Sequence, residues 1–168
     1  SSGKTEIYVK LSENEIKKNK QVLYLVPEIA LTTQLINRLK KYFGNLLAVY
    51  HSKYSINQRT EVWKKVLKND KNAKIIIGAR SSIFLPFSKL SLIIVDEEHE
   101  NAYKQFKPAP RYHARDSAIY LAMLHKANTL LGSATPSLES YFNAISNKYG
   151  LISLDKRFGD IKPPKIII

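Results

Sequence analysis

The sequence predicts an α/β fold, a mostly parallel sheet with helices on both faces. Short apolar runs of strand length alternate along the chain with stretches of helical periodicity. A strand that returns to its sheet through a helix pairs in parallel, so this alternation implies parallel neighbours joined by crossover helices. Most runs carry β-branched residues without strict polar alternation, as strands covered on both faces do. In such sheets ligands bind beyond the carboxyl ends of the strands, so function is to be sought in the residues that follow each run.

The chain opens with Ser1-Ser2-Gly3-Lys4-Thr5 and passes through Glu6-Ile7-Tyr8-Val9 into a helical stretch. The first strand candidate is 22–26. A helix follows, marked by Leu31, Leu35, Leu39 and Tyr42 at spacings of three and four. A strand at 46–50 precedes a helix carrying Val62, Trp63 and Val66. Strands at 73–77 and 92–95 come next, then a helix with Ala114, Ala118, Leu121 and Leu124. A strand at 129–131, a helix with Leu138, Tyr141, Phe142 and Ile145, and a last strand at 151–154 complete the pattern. Tyr8, Tyr24 and Tyr42 lie within these elements and read as core. Residues 1–155 are expected to form one domain, and 156–168, with Gly159, Pro163 and Pro164, read as an exit segment.

Composition agrees with a packed domain, since 44% of the 168 residues are hydrophobic and disorder is not expected. The absence of cysteine excludes disulfides and thiolate metal sites. No apolar run approaches the ~20 residues that cross a bilayer. Lys and Arg total 27 against 14 acids, a formal charge of +13, which attracts polyanions, nucleic acid first and an acidic membrane surface second. Lys17, Lys18, Lys20, Lys40, Lys41, Lys64 and Lys65 fall on helical stretches and equally suit a solvated surface, so charge alone leaves the two readings even.

Gly3-Lys4-Thr5 is the second half of the phosphate-binding pattern G-x-x-x-x-G-K-[ST]. Its chemistry needs this order: backbone N–H groups at a helix N-terminus cradle phosphate oxygens, Lys reaches the β- and γ-phosphates, and the Thr hydroxyl binds Mg²⁺. Such a tripeptide is common by chance. Its support is Ile93-Ile94-Val95-Asp96-Glu97-Glu98-His99, a hydrophobic strand ending in paired acids. Asp96 can hold magnesium and Glu97 can polarise the attacking water. A strand running into an acidic, solvated turn would explain the acids but not the Gly-Lys-Thr at another strand-to-helix junction. The pattern's first Gly and the strand that feeds the loop would precede residue 1.

Further stretches make the match specific: Val26-Pro27-Glu28-Ile29-Ala30-Leu31-Thr32, His51-Ser52, Gly78-Ala79-Arg80-Ser81-Ser82-Ile83-Phe84-Leu85-Pro86-Phe87, Tyr103-Lys104-Gln105 with Arg111-Tyr112-His113-Ala114-Arg115-Asp116, and Gly132-Ser133-Ala134-Thr135-Pro136-Ser137. Together they resemble lobe one of a superfamily 2 helicase, and in detail the PriA (primosomal protein N-prime) family of bacterial replication-restart DNA helicases. The similarity runs over essentially the whole chain. It implies a RecA-like P-loop NTPase lobe in which ATP hydrolysis drives translocation on single-stranded DNA and unwinding at stalled forks, with primosome assembly. ATP and Mg²⁺ are the implied cofactors. The implied partners are single-stranded and forked DNA, other primosome proteins and single-strand-binding protein. No membrane is implied, and the setting is the bacterial cytoplasm, at the nucleoid. The alternative is a non-hydrolysing nucleic-acid-binding module with a degenerate nucleotide site.

Carried over residue by residue, the resemblance gives Ser2, Gly3, Lys4 and Thr5 to phosphate and magnesium, with Asp96 and Glu97 managing metal and water. His99 would link them to Ser133 and Thr135, unless it only caps the strand end. Pro27, Glu28, Gly78, Arg80 and Ser81 stand where the family grips a single strand, although Pro27 and Gly78, taken singly, suit ordinary turns, and Thr32 suits a helix start. The segment 101–115 interleaves Tyr103, Phe106 and Tyr112 with Lys104, Lys107, Arg111 and Arg115, as a base-stacking, phosphate-following loop would. Tyr103, Lys104, Phe106 and Arg111 are its DNA candidates, and Tyr112 is the aromatic best placed to tuck into the core. Ser1 departs from the family, whose loop more often has Gly there. The family's N-terminal DNA-binding region and its second lobe, with zinc site and arginine finger, have no counterpart here. The chain by itself is therefore expected to be monomeric, to bind DNA weakly and to show negligible ATPase.

Overall fold

The computed structural model describes residues 3–154, so Ser2 of the phosphate loop and the segment 156–168 lie outside the described residues. Five parallel strands form one sheet in the order β2-β3-β1-β4-β5: β1 Gln21–Leu25, β2 Leu47–Tyr50, β3 Ile75–Gly78, β4 Leu90–Asp96 and β5 Asn128–Gly132. Among the described residues five α-helices accompany them: α1 Lys4–Lys17, α2 Thr33–Phe43, α3 Ile56–Leu67, α4 Ala114–His125 and α5 Leu138–Ile145.

The alternating side chains of the central strands feed two cores. Leu23, Leu25, Ile76, Ile93 and Val95 point to one face, where Val66 of α3 and Ala114, Ala118 and Ala122 of α4 cover them. Val22, Tyr24, Ile75, Ile77, Leu92 and Ile94 point to the other, under Tyr8 and Val9 of α1 and Leu39 and Phe43 of α2. Both faces are dry along β1 and β3, which is why these runs lack polar alternation. Ser and Thr start the helices by accepting from backbone N–H groups. Thr32 caps α2 through Leu35 N, Ser137 caps α5 through Ser140 N, and Ser55 with Gln58 forms a capping box for α3.

Two expectations are corrected. Residues 151–154 form no strand, and Leu151 and Ile152 are 63% and 81% exposed. They pair with no ladder, and Leu151 and Ile152 instead line an apolar cleft beside β5 and α5. Tyr42 is not core; it is 45% exposed and donates its hydroxyl to Glu6. The apolar positions of α5 define a helix as expected, yet Leu138, Phe142 and Ile145 stay largely exposed. Periodicity locates an apolar face without naming what packs on it.

Candidate nucleotide site and nucleic-acid rim

All five strands send their carboxyl ends the same way, so the loops that follow them form one rim. α1 begins there. Gly3 precedes it at φ 77°, a left-handed conformation that glycine adopts without strain, and its carbonyl accepts from Glu6 and Ile7. The first-turn amides of a helix have no intrahelical acceptors and carry the positive end of its dipole, a setting for phosphate. Lys4 and Thr5 stand in that turn, half-buried.

The lysine reaches the acid motif across 93 positions of sequence: Nζ lies 2.7 Å from Glu97 Oε1 and 3.8 Å from Asp96 Oδ1. Asp96 ends β4 on the sheet's central side of β5, and Glu97 turns away from the strand in the left-handed region at φ 48°. A non-glycine residue there is strained, and strain of this kind gathers where a side chain must be aimed. The Glu97 amide donates to Asp96 Oδ1 at 3.1 Å, which closes the turn.

Asp96 is held by tyrosines that sequence reasoning assigned elsewhere. Tyr8 donates to Oδ1 at 3.2 Å, Tyr24 to Oδ2 at 3.1 Å, and Tyr103 to the Asp96 carbonyl at 2.6 Å. Tyr8 and Tyr24 meet edge to face with ring centroids 5.5 Å apart. Their hydroxyls are pushed well above the usual phenol range, by burial first and then by the Asp96 charge. Burial raises the Asp96 carboxyl, Lys4 opposes that rise and Glu97 adds to it, and the net direction is upward. The signal for Tyr8 was its spacing: four residues past Lys4, it shares the lysine's helix face.

His99 Nδ1 and Ser133 Oγ are hydrogen-bonded at 2.7 Å, and His99 Nε2 lies 3.4 Å from Thr135 Oγ1. The coupling set is thus brought together at the ends of β4 and β5, with Glu97 Oε2 3.8 Å from the same imidazole.

Glu98 was not singled out in the sequence, being one of three consecutive acids. It is 1% exposed and accepts from Arg115 Nη1, the Ser137 amide, Ser137 Oγ and Ser140 Oγ at 2.6–3.0 Å. Burial alone would raise its carboxyl, but the Ser137 amide, Ser140 and Arg115 outweigh that and hold it below the usual range.

The DNA candidates divide. Pro27 and Glu28 follow β1, Gly78 ends β3 and Arg80 and Ser81 follow it, so all five lie on the rim, with Glu28 and Ser81 exposed and Pro27 and Gly78 buried. A Cβ on Gly78 would stand 1.9 Å from Ser82 Oγ and 2.7 Å from the Tyr50 carbonyl, so the glycine there serves close packing between chain segments. Arg80 Nη1 donates to the Lys104 carbonyl at 3.2 Å and to the Ala102 carbonyl at 3.5 Å, fastening the aromatic segment to the turn after β3. That segment is closed at its base by a Lys104–His113 bridge and inside by Gln105 Nε2, which donates to the Pro108 and Pro110 carbonyls. Phe106 is 59% exposed under the Lys104 ammonium, and Lys104, Lys107 and Arg111 are exposed. Tyr103 is a correction: it is fully buried, with its hydroxyl on Asp96, and offers no face to a base. Tyr112, expected to tuck inward, is half-buried edge to face against Phe84.

A parallel sheet with a phosphate-type helix start, lysine and acid pair at its carboxyl edge defines a RecA-like nucleotide-binding lobe. Residues 1–143 match the model of the DEAD/DEAH box helicase family, and the chain belongs to that family. It is 46% identical over 98% of its length to a replication restart protein PriA of Bacillus subtilis, and 47% over 98% to that of Chlamydia pneumoniae, covering 20% and 22% of those proteins. The chain thus spans about a fifth of the length of these relatives. Among solved structures it resembles RecG bound to a three-way DNA junction, with a TM-score of 0.61 at 20% identity, covering 88% of this chain and 18% of that one. It also resembles the Mycobacterium smegmatis helicase Lhr bound to single-stranded DNA and AMP-PNP, with a TM-score of 0.54 at 19% identity, covering 74% and 18%. At these identities the likeness is one of fold.

Proposed function

We propose that this chain is the ATP-binding lobe of a DNA helicase that couples hydrolysis to movement along single-stranded DNA during replication restart. One observation carries the reading: Lys4 meets Glu97 at 2.7 Å and Asp96 at 3.8 Å, at the start of a helix, on the loop edge of a parallel sheet. The residues fit a magnesium–nucleotide complex. Asp96 and Glu97 stand beside the Lys4 ammonium at the helix start, two carboxylates facing the place for phosphate. That suits magnesium, which keeps its waters and takes one or two carboxylates besides phosphate oxygens.

Bound there, magnesium ATP supplies a phosphoryl group whose transfer depends on positioning and charge stabilisation. The amides of the α1 start and the Lys4 ammonium bind phosphate oxygens, while the Thr5 hydroxyl and the Asp96 carboxylate hold the metal. Glu97 orients the attacking water and takes its proton. His99, bonded to Ser133 and facing Thr135, passes the state of this turn to the segment after β5. Glu28, Arg80 and Ser81, with Lys104, Phe106 and Arg111 on the aromatic segment, grip the strand, and buried Pro27 and Gly78 shape the turns that carry them. The intact lysine, threonine and acid pair argue against a degenerate, non-hydrolysing module. By resemblance the further partners are forked DNA, primosome proteins and single-strand-binding protein, in the bacterial cytoplasm.

The test is DNA-stimulated ATPase in a chain of the relatives' full length. Glu97→Gln should lower turnover by ~10²–10⁴-fold, the worth of a positioned general base, and leave nucleotide binding largely intact. Undiminished turnover in that variant would sink the reading.

A further inference from the structure

A cleft of about 350 Å³ opens where β2 ends and α3 begins, lined by Tyr50, Ile56, Arg59, Thr60 and Trp63. Apart from the Tyr50 carbonyl beside Gly78, none of these residues has a part in the nucleotide site or in the rim described above. Arg59 is half-buried, its Nε has no hydrogen-bond partner, and no ion pair engages its guanidinium among the described residues. An arginine side chain that is partly desolvated and unpaired is costly to keep unless an acceptor arrives from outside. Trp63 and Ile56 stay 42% and 72% exposed beside it, although apolar surface of this size gains by being covered.

Position supplies the identity of the occupant. Tyr50, the last residue of β2, pairs with Gly78 of β3, and its carbonyl abuts Gly78. The cleft therefore continues outward the row of Gly78, Arg80 and Ser81, on a chain whose formal charge is +13. We propose that it binds one nucleotide of a single DNA strand, with the base against Trp63 and the phosphate on Arg59. This rests on the reading of that rim as a DNA track. An indole accepts any base by stacking, and a guanidinium suits a phosphate oxygen, so the subsite reads no sequence.

Trp63 is the only tryptophan of the 168 residues, so tryptophan emission reports this cleft alone. The 168-residue chain is titrated at low salt with a dye-labelled oligothymidylate of about 16 nucleotides, reading tryptophan emission and dye anisotropy together. Emission should fall and saturate over the concentration range in which anisotropy rises. Arg59→Ala should weaken binding on the order of tenfold, and Arg59→Lys should recover part of the loss, with circular dichroism confirming that each variant folds. Rising anisotropy with unchanged Trp63 emission would overturn the cleft proposal and leave the rim reading intact. No anisotropy change at any strand concentration would remove the rim reading and the cleft with it.

Discussion

Asp96 takes two side-chain hydrogen bonds from tyrosines, and one of them depends on a missing side chain. Gly132 stands beside Asp96 in the β4–β5 register, and a Cβ there would lie 1.7 Å from the Tyr8 hydroxyl. Tyr8 is 3% exposed, so its ring has little room to retreat. Gly132→Ala should therefore cost ~1–3 kcal/mol by overpacking and displace the Tyr8 bond from the carboxylate. Urea unfolding reads the first effect and ATPase of the longer chain the second; an unchanged midpoint would mean that the ring moves freely. Tyr103 and Phe106, three residues apart, should separate in the same way. Tyr103→Phe leaves the Asp96 carbonyl without its donor, costs ~1 kcal/mol and slows hydrolysis with and without DNA. Phe106→Ala should spare basal hydrolysis and reduce the stimulation by DNA. Equal losses in both variants would refute this division.

At the scale of elements, Glu98 fastens the end of β4 to α4 through Arg115 and to α5 through Ser137 and Ser140. The ion pair is shielded, with Arg115 and Glu98 side chains 10% and 2% exposed. Glu98→Gln leaves the Arg115 charge with exposed Asp116 alone and should cost about 3 kcal/mol at neutral pH. The folded carboxyl titrates below its ordinary 4.5, so its stabilisation is present above that value and is lost as pH falls through the lower folded pKa. Asp96 works in the opposite sense. Its raised pKa makes its ionised form a burden at neutral pH, relieved on acidification through that raised value. The gap between Glu98→Gln and the unsubstituted chain should then narrow below about pH 4, checked by urea unfolding across pH. A gap that is constant with pH would show that the carboxylate charge is not what binds these elements.

Across the whole molecule, the parallel sheet was legible because continuous apolar runs between helical periods admit little else, and five of the six expected strands are present. Residues 151–154 had the same composition and failed as a strand, because a run becomes one only where a neighbour offers a ladder. The convergence of Lys4 with Asp96 and Glu97 could be read from two motifs whose chemistry requires a common ligand. Of the tyrosine hydroxyls on Asp96, only Tyr8 carried a signal, its spacing from Lys4; Tyr24 carried none, since burial of a ring says nothing of where its oxygen points, and Glu98 was hidden among its neighbours. Trp63 looked like another helix-face residue because periodicity cannot distinguish a covered face from an open one.

The contact between Lys4 and the acid pair makes the lobe its own rival for ligand. A bare anion that draws the ammonium away strands two carboxylates close together, whereas a polyphosphate travelling with its cation replaces both halves of the pairing at once. On the proposed reading, discrimination between free and metal-complexed nucleotide would follow from this pairing.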